Sequence, residues 1–358
     1  MSRIITPHKA DAYRPRVVYD SLGGEHRIPY LYDMHAHTDQ SDGVRSPEET
    51  VRLAAESGVK SFCLTDHNTT KGVGRALAEA KRLRSQGKDV AVIPGIEFTT
   101  ELAYPKSGKP LKLHILGVGI DPEHAGLAGE VRRLEDAERN LGRAVVAGLS
   151  EQSRAVCRRL DLVVDGLEFP PRVHELVEAG QYNIRKRIAE NIITQRNKPV
   201  IRVWLEDSLR KFPELRKEFE ESRLASADDK ELHQFSYAAL KRAYPSKKLA
   251  GGRARSDTIE AIRLIEAAGG VPVLAHPKSE LTDLARFSVD ELRDVLTFLK
   301  QNGLKGLEVY HLHQQDAAAV DSLRKLAGEL GLTVVGGSDF HGKEGMWMGM
   351  VGTDENPL

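Results

Sequence analysis

The sequence lacks the features that mark disulfide-rich proteins, strongly charged proteins and membrane proteins. Two cysteines in 358 residues are too few for a disulfide framework, and 40% hydrophobic residues suit a globular chain. Lysine plus arginine equals aspartate plus glutamate at 52 each, so no overall charge attracts nucleic acid or a membrane surface. No run approaches the roughly 18 apolar residues of a membrane span, and the N-terminus lacks the apolar core of a signal peptide. We therefore expect a cytoplasmic protein with no membrane partner, and nothing in the sequence indicates a protein partner.

The alternation of strand and helix signals predicts one α/β domain that is interrupted by a helical insertion. Residues 1–29 contain three prolines and predict an irregular arm with one short strand at RVVYDS. In 30–170 and 256–358, short apolar runs alternate with amphipathic segments, which is typical of a mainly parallel α/β arrangement. Between them, residues 171–255 have little strand signal and a net charge of about +7. This segment predicts a basic helical insertion or cap.

Two histidines stand where the first apolar run of the α/β part ends. His35 and His37 are two residues apart, so both imidazoles face the same side of a β-strand. Asp42 follows in the next loop, and His67 comes at the end of the second apolar run. Neutral imidazole is the commonest protein ligand for transition metals, and carboxylates supply oxygen donors. A His-x-His pair alone is weak evidence, so the metal prediction depends on the later strand ends.

Residue types that bind metals recur at the ends of the predicted strands. In α/β barrels the loops after the parallel strands meet on one face, which would bring these side chains together. One ion takes about four to six donors, so this many ligands implies two or three divalent ions with Glu97 as a bridging carboxylate. Clustered histidines with Asp and Glu and no thiolate favour Mn, Zn or Fe over Ca. The nine candidate ligands are His35, His37, Asp42, His67, Glu97, His114, His276, Asp339 and His341.

A centre of two or three ions suits the hydrolysis of phosphate esters. A metal-bound hydroxide would attack phosphorus, while the other ions neutralise the phosphate oxygens and the leaving alkoxide. His67 and Asp42 are candidates for the acid that protonates the leaving oxygen. For phosphate binding we rank Arg172 first, because a guanidinium can donate two parallel hydrogen bonds to phosphate, and then Lys278 and Arg45.

Other polar residues near these motifs are predicted to support the site. Asp66, beside His67, would orient a ligand histidine without binding metal itself. Glu308, His311 and His313 follow another strand and could reach the rim of the site.

The order of the motifs HAH, SDG, TDHNTT, GIE, HILG, AHP, EVYH and GGSDFHG resembles the PHP (polymerase and histidinol phosphatase) phosphoesterase family. The match covers roughly residues 30–150 and 256–352. The resemblance implies a distorted seven-stranded (β/α) barrel with the helical segment as an insertion, and a site for two or three metal ions. The ligand sets that it implies are His35, His37, Glu97 and Asp339 for one ion, Glu97, His114 and His276 for a second, and Asp42, His67 and His341 for a third, exposed ion.

The resemblance is nearest to small phosphoesterases that act on nucleotides such as nucleoside 3′,5′-bisphosphates. Members of that branch usually have a Gly-Lys-Pro segment that helps to bind phosphate, whereas the corresponding region here reads PPRVHELVEAG. The substrate therefore stays open. A 5′-3′ exonuclease acting on short RNA or DNA oligonucleotides is one alternative, which the basic insertion favours. A non-catalytic metal-binding regulatory module is another, and an amidohydrolase is a third that the GGSDFHG ending disfavours.

Overall fold

A computed structural model describes residues 16–19, 25–28, 31–159, 166–217, 224, 226–245, 255–312, 316–343, 346 and 348–349. The chain divides into two units, Met1–Val131 with Arg255–Leu358, and Arg132–Ala254. The second unit begins within a long helix, upstream of the helical segment that the sequence predicts from residue 171. Most of the predicted N-terminal arm lies outside the described residues.

The strands belong to the first unit. An antiparallel pair in the N-terminal region includes the strand that the sequence predicts at RVVYDS. A sheet built on seven strands follows, and these strands lie side by side in their order along the chain, with one further short strand outside the path. The strands are β1 Arg16–Tyr19, β2 Glu25–Ile28, β3 Tyr32–Ala36, β4 Ser61–Leu64, β5 Ala91–Leu102, β6 Leu111–Val118, β7 Ser256–Asp257, β8 Val271–Leu274, β9 Gly306–His311 and β10 Thr333–Gly337.

The large sheet is a nearly closed barrel. Its strand order is β10-β9-β8-β6-β5-β4-β3, and the short β7 pairs with β5 outside this path. Ala36, the last residue of β3, bridges to Phe340 after β10, which brings the two edge strands together. Strand β6 is antiparallel to both β5 and β8, whereas the other pairs on this path are parallel. The prediction of a distorted seven-stranded (β/α) barrel is confirmed, and β6 is the source of the distortion.

Helices connect the strands of the first unit and make up most of the second. Several begin with the capping residues that the sequence indicates: Ser46 accepts a hydrogen bond from the backbone of Glu49 at the start of α1, with Pro47 in the first turn. The helices are α1 Pro47–Glu56, α2 Val73–Ser85, α3 Ala125–Arg159, α4 Pro171–Glu178, α5 Ile184–Asn191, α6 Lys198–Lys211, α7 Asp229–Ala243, α8 Thr258–Ala267, α9 Val289–Gln301 and α10 Ala317–Leu330, with short 3₁₀ helices at Pro213–Lys217 and Asp283–Arg286.

Each unit has its own apolar core. In the first, α1 and α2 pack against β4 through side chains such as Val51, Phe62 and Leu83. In the second, α4 to α7 surround Trp204, which is buried and donates an indole hydrogen bond to Gln152 at 3.0 Å. Burial of this kind contributes roughly 25 cal/mol per Å² of apolar surface, so each unit has a core that stabilises it. No helix in the described ranges has both the length and the apolar character needed to cross a membrane.

Candidate metal centre

Seven histidines and four carboxylates come together inside the first unit. They lie on or after all seven strands of the barrel path, and all nine residues that the sequence predicts as ligands are among them. Neighbouring imidazole rings are 4.5 to 5.9 Å apart between centroids. The members are His35, His37, Asp42, His67, Glu97, His114, His276, Glu308, His311, Asp339 and His341.

Glu97 lies at the middle of this cluster and is fully buried. Its Oε2 atom is 3.1 Å from the Nε2 atoms of both His35 and His37, and 3.1 Å from Nδ1 of His67. The sequence pattern suggested that this residue ends its strand. In the structure β5 continues for five more residues to Leu102, so Glu97 projects from the middle of the strand.

The second oxygen of Glu97 faces different histidines. Oε1 is 2.8 Å from Nδ1 of His114, on the antiparallel strand β6, and 3.1 Å from Nε2 of His276, after β8. The two oxygens of one carboxylate thus point at two separate sets of imidazoles. This is the arrangement that a carboxylate bridging two ions requires.

Asp339 completes a group of four donors with His35, His37 and Glu97. Its Oδ1 atom is 3.1 Å from Nε2 of His37 and 3.4 Å from Nε2 of His35. Asp339 has a φ of 51° and His276 a φ of 25°, in a region that costs about 1–3 kcal/mol for residues other than glycine. Two of the four described residues other than glycine with positive φ are therefore predicted ligands.

The spacing of the four donors fits a metal ion. With metal–ligand bonds of about 2.1 Å, adjacent donors are about 3.0 Å apart in an octahedron and about 3.4 Å apart in a tetrahedron. The His35, His37, Glu97 and Asp339 donor atoms have separations of 3.1 to 3.4 Å. In the described part of the chain, the ion-pair contacts of Glu97 are all with imidazoles, which are donors that zinc, manganese and iron accept.

A further group of donors is more accessible to solvent. Asp42 Oδ1 is 3.1 Å from Nε2 of His341 and 3.9 Å from both Nε2 of His67 and Nδ1 of His37. The side chains of Asp42 and His341 are 15% and 12% exposed, whereas those of His35 and Glu97 are at most 1% exposed. The centre is therefore open on the Asp42 side. His37 joins the three residues that the resemblance implies for this exposed position.

Charge coupling fixes the protonation of the cluster. Burial disfavours the Glu97 carboxylate, but the surrounding imidazoles hold its pKa well below the usual range. Burial lowers the pKa of His37, and its hydrogen bonds with Asp339 and Glu97 overcome this effect and raise the pKa to about 10. Burial lowers the pKa of His67 to about 3, so its ring is neutral at pH 7. In the absence of metal, positively charged histidines thus stabilise the buried carboxylates.

Asp66 is buried beside the cluster, and its predicted role of orienting a ligand histidine stays a prediction. It accepts hydrogen bonds from the Thr38 backbone at 2.7 Å and from the hydroxyls of Thr38 and Ser41 at 2.6 Å each. The Ser41 hydroxyl is also 3.4 Å from Nδ1 of His37. Asp66 therefore anchors the loop that links His37 to Asp42.

Asp33 is a supporting carboxylate that the sequence reasoning missed. It is fully buried and accepts hydrogen bonds from the backbone and hydroxyl of Ser338 at 2.9 and 2.6 Å, and from the backbone of Gly349 at 2.9 Å. Asp33 and His35 are two residues apart on β3, which is the same face-sharing signal that linked His35 to His37. The contact joins β3 to the loop that carries Asp339.

Two residues of β9 are more deeply placed than predicted. Glu308 and His311 were expected at the rim, yet their exposed fractions are 0% and 1%. Glu308 Oε1 is 3.0 Å from Nδ1 of His35, and His311 Nε2 is 3.4 Å from Oδ2 of Asp339. Neither residue lies at the rim, and for His311 the reason is that β9 is irregular between Glu308 and Tyr310. His313 lies outside the described residues.

The three residues predicted to bind phosphate have different surroundings. Arg172 is exposed in the first turn of α4, in the second unit, and pairs with Glu175 at 3.2 Å. Lys278 is partly buried, and its ammonium group donates a hydrogen bond to the Phe287 carbonyl. Arg45 is exposed, and its side chain packs over Gly342, directly after His341. Of the three, Arg45 has a contact that places it beside the accessible group of donors.

Comparisons with known sequences find a family model and relatives whose names describe phosphoesterases. The model of the PHP domain matches residues 33–198. The chain is 28% identical to the phosphoribosyl 1,2-cyclic phosphate 1,2-diphosphodiesterase of Eggerthella lenta, covering 88% of this chain and 95% of that protein. It is 26% identical to the 3′,5′-nucleoside bisphosphate phosphatase of Chromobacterium violaceum, covering 86% of each. It is 31% identical to the 5′-3′ exoribonuclease Rnm of Salmonella typhimurium over 121 residues, which are only 38% of that protein.

Solved structures share the fold. A protein from Bifidobacterium adolescentis that was assigned to the metal-dependent phosphoesterases gives a TM-score of 0.56 at 22% identity, covering 92% of this chain and 95% of that one. An amidohydrolase from Chromobacterium violaceum, solved with bound sulfate and no metal, gives 0.55 at 20% identity, covering 92% and 93%. The barrel, the histidine-carboxylate cluster and the named relatives define the class of metal-dependent phosphoesterases. Within that class, the chain contains a match to the PHP domain over residues 33–198.

Proposed function

We propose that this protein hydrolyses a small phosphomonoester, namely a nucleotide such as a nucleoside 3′,5′-bisphosphate. The observation that carries the proposal is the position of Glu97, whose two oxygens face two separate sets of imidazoles in one buried centre. Two or three ions of Mn, Zn or Fe are the cofactors we expect. When bound, such ions supply Lewis acidity, which activates water for attack on phosphorus and neutralises charge on the leaving oxygen.

We assign the donors to three positions. The group of His35, His37, Glu97 and Asp339 has the best spacing for one ion. Oε1 of Glu97 with His114 and His276 supports a second position. The group of Asp42, His67 and His341, with His37 close by, supports a third that faces solvent.

The chain's own residues fix the protonation that such a centre needs. His67 is neutral at pH 7, which leaves a nitrogen lone pair for a metal ion. Burial disfavours the Asp42 carboxylate, but His67 and His341 keep its pKa below the usual range, so it is an anionic oxygen donor. These states support ligand roles for both residues. A role as the acid for the leaving oxygen requires that one of them gains a proton after the ions bind, and it stays a prediction.

The accessible side of the centre indicates where a phosphate group enters. Asp42 and His341 are the more exposed donors, and the Arg45 side chain packs over the adjacent Gly342. A guanidinium there can donate two parallel hydrogen bonds to phosphate oxygens. Similarity to a 3′,5′-nucleoside bisphosphate phosphatase over 86% of both chains supports a mononucleotide as the substrate.

A 5′-3′ exonuclease that acts on short oligonucleotides is the second candidate. The 31% identity to Rnm, an exoribonuclease, is the specific observation in its favour. That similarity covers about a third of this chain, and the similarity to the bisphosphate phosphatase covers most of it. We therefore place the mononucleotide first.

A paired assay tests the proposal. Protein reconstituted with Mn is incubated with adenosine 3′,5′-bisphosphate and, separately, with a 5′-phosphorylated oligoribonucleotide. Release of inorganic phosphate from the bisphosphate, abolished in His37→Ala, is the expected result. His124→Ala is the matched control, because His124 caps α3 outside the cluster. Mononucleotide release from the oligomer alone would favour the exonuclease, and turnover of neither would favour a non-catalytic metal-binding module.

A further inference from the structure

Strand β9 contains a bulge within the candidate metal centre. Val335 of β10 pairs with Glu308 of β9, but the next residue, Gly336, pairs with Tyr310, and Gly337 pairs with His311. Over this stretch β9 has one residue more than β10, and the extra residue is Val309. A bulge of one residue reverses the inward and outward alternation of the side chains that follow it.

The reversal explains an unusual pattern of burial. In a regular strand, Glu308 and His311 are three residues apart and project from opposite faces. Here both are buried and both contact the cluster, at His35 and Asp339, whereas Tyr310 between them is partly exposed. The bulge therefore turns a carboxylate and an imidazole from one strand toward the same cluster.

Glu308 contacts two predicted ligands that come from different strands. Its Oε1 atom is 3.0 Å from Nδ1 of His35, and its Oε2 atom accepts a hydrogen bond from the backbone N–H of His276 at 2.7 Å. A carboxylate at Nδ1 fixes the orientation of the His35 ring, so that Nε2, 3.1 Å from Glu97 Oε2, is the nitrogen that faces the group of four donors. The second contact holds the backbone of His276, whose φ is 25°.

His311 contacts a third predicted ligand. Its Nε2 atom is 3.4 Å from Oδ2 of Asp339, whereas Oδ1 of Asp339 faces His35 and His37. With the His311 ring beside Oδ2, the carboxylate keeps Oδ1 directed at the group of four donors. The ring of His311 also lies 4.8 Å from that of His276.

We infer that Glu308 and His311, brought to one face by the bulge at Val309, are positioning residues that hold His35, His276 and Asp339 in place for the metal ions. The inference rests on the metal centre of the proposed function but not on its substrate. Supporting residues of this kind typically contribute about 10- to 100-fold to metal affinity.

Cobalt titration tests the inference without any turnover. Metal-free protein is titrated with Co²⁺, the visible absorption bands report the ligand geometry, and competition with a chelator gives the affinity. Glu308→Gln keeps the size of the side chain, but its amide can accept only one of the two hydrogen bonds. His311→Gln keeps an N–H donor and His311→Leu removes it. Tyr310→Phe, on the same strand, is the matched control.

We expect Glu308→Gln and His311→Leu to bind Co²⁺ about 10- to 100-fold more weakly with altered absorption bands, and His311→Gln to recover most of the affinity. Tyr310→Phe should match the unmodified protein. Unmodified affinity in Glu308→Gln and His311→Leu, even with a lowered unfolding temperature, would overturn the inference, because the residues would then only stabilise the fold. Loss of one bound ion in His311→Gln would also overturn it, since His311 would be a ligand. If the unmodified protein bound no cobalt, the metal centre of the proposed function would fail instead.

Discussion

The Nε2 atoms of His35 and His37 lie 3.1 Å apart. Both atoms also lie within 3.4 Å of oxygens of Glu97 and Asp339, so two imidazoles and two carboxylates point at one small volume. A proton can satisfy only one contact in this group at a time, whereas a divalent ion can satisfy all four donors. This arrangement leads to the first prediction.

Metal removal should destabilise the protein. An ion that binds only the folded state stabilises it by about 2.7 kcal/mol when its concentration is 100 times Kd. We expect a lower thermal unfolding temperature after treatment with a chelator and recovery after Mn or Zn is added back, measured by calorimetry. Asp339→Asn should show a smaller response to metal. An unfolding temperature that does not respond to either metal would contradict the prediction.

Metal affinity should rise with pH. The pKa of His37 in the metal-free protein is about 10, so its ring carries a proton at pH 7 that an ion must displace. Raising the pH toward 10 removes this competing proton, and affinity should increase by up to about tenfold per pH unit for each proton displaced. Titration calorimetry in two buffers of different ionisation enthalpy counts the protons released. Equal heats in both buffers would show that no proton leaves.

The bridging role of Glu97 can be tested by one substitution. Glu97→Gln retains the size of the side chain but removes the charge that would face both ions. We expect at least one bound ion to be lost and activity to fall at least about 100-fold, because the ions act through this centre. Elemental analysis after gel filtration measures the metal content. Glu101→Gln on the same strand is the control, since Glu101 pairs with Arg255 and lies outside the cluster.

Much of the site follows from local sequence patterns. His35, His67, His276 and Asp339 are found at strand ends because apolar runs and turn residues mark where each strand ends. The loops after parallel strands meet on one face of the barrel, so residues from distant positions come together. The pattern of strand ends therefore predicts the nine clustered side chains, and the family resemblance of the motifs implies the barrel.

Other features depend on pairing between strands, which a single sequence does not record. The direction of β6 is one, because an apolar run reads alike in a parallel and an antiparallel strand. The bulge at Val309 is another, and it is the reason why the burial of His311 was missed. Glu97 was placed at a strand end because the continuation of β5 depends on its pairing with β6.

Asp33 should stabilise the contact between β3 and the segment that follows β10. It accepts two hydrogen bonds from Ser338 and one from Gly349, and its second neighbour on β3 is His35. In Asp33→Asn, the amide nitrogen would face at least one of these donors, and leaving a buried donor unpaired costs about 1–3 kcal/mol. We expect that loss in the free energy of unfolding of the metal-free protein, measured by urea denaturation. The exposed Asp39→Asn serves as a control that should change little. Because Ser338 precedes Asp339, we also expect Asp33→Asn to weaken metal binding. A variant with full stability and full metal affinity would show that the contact between β3 and the loop after β10 does not depend on this carboxylate.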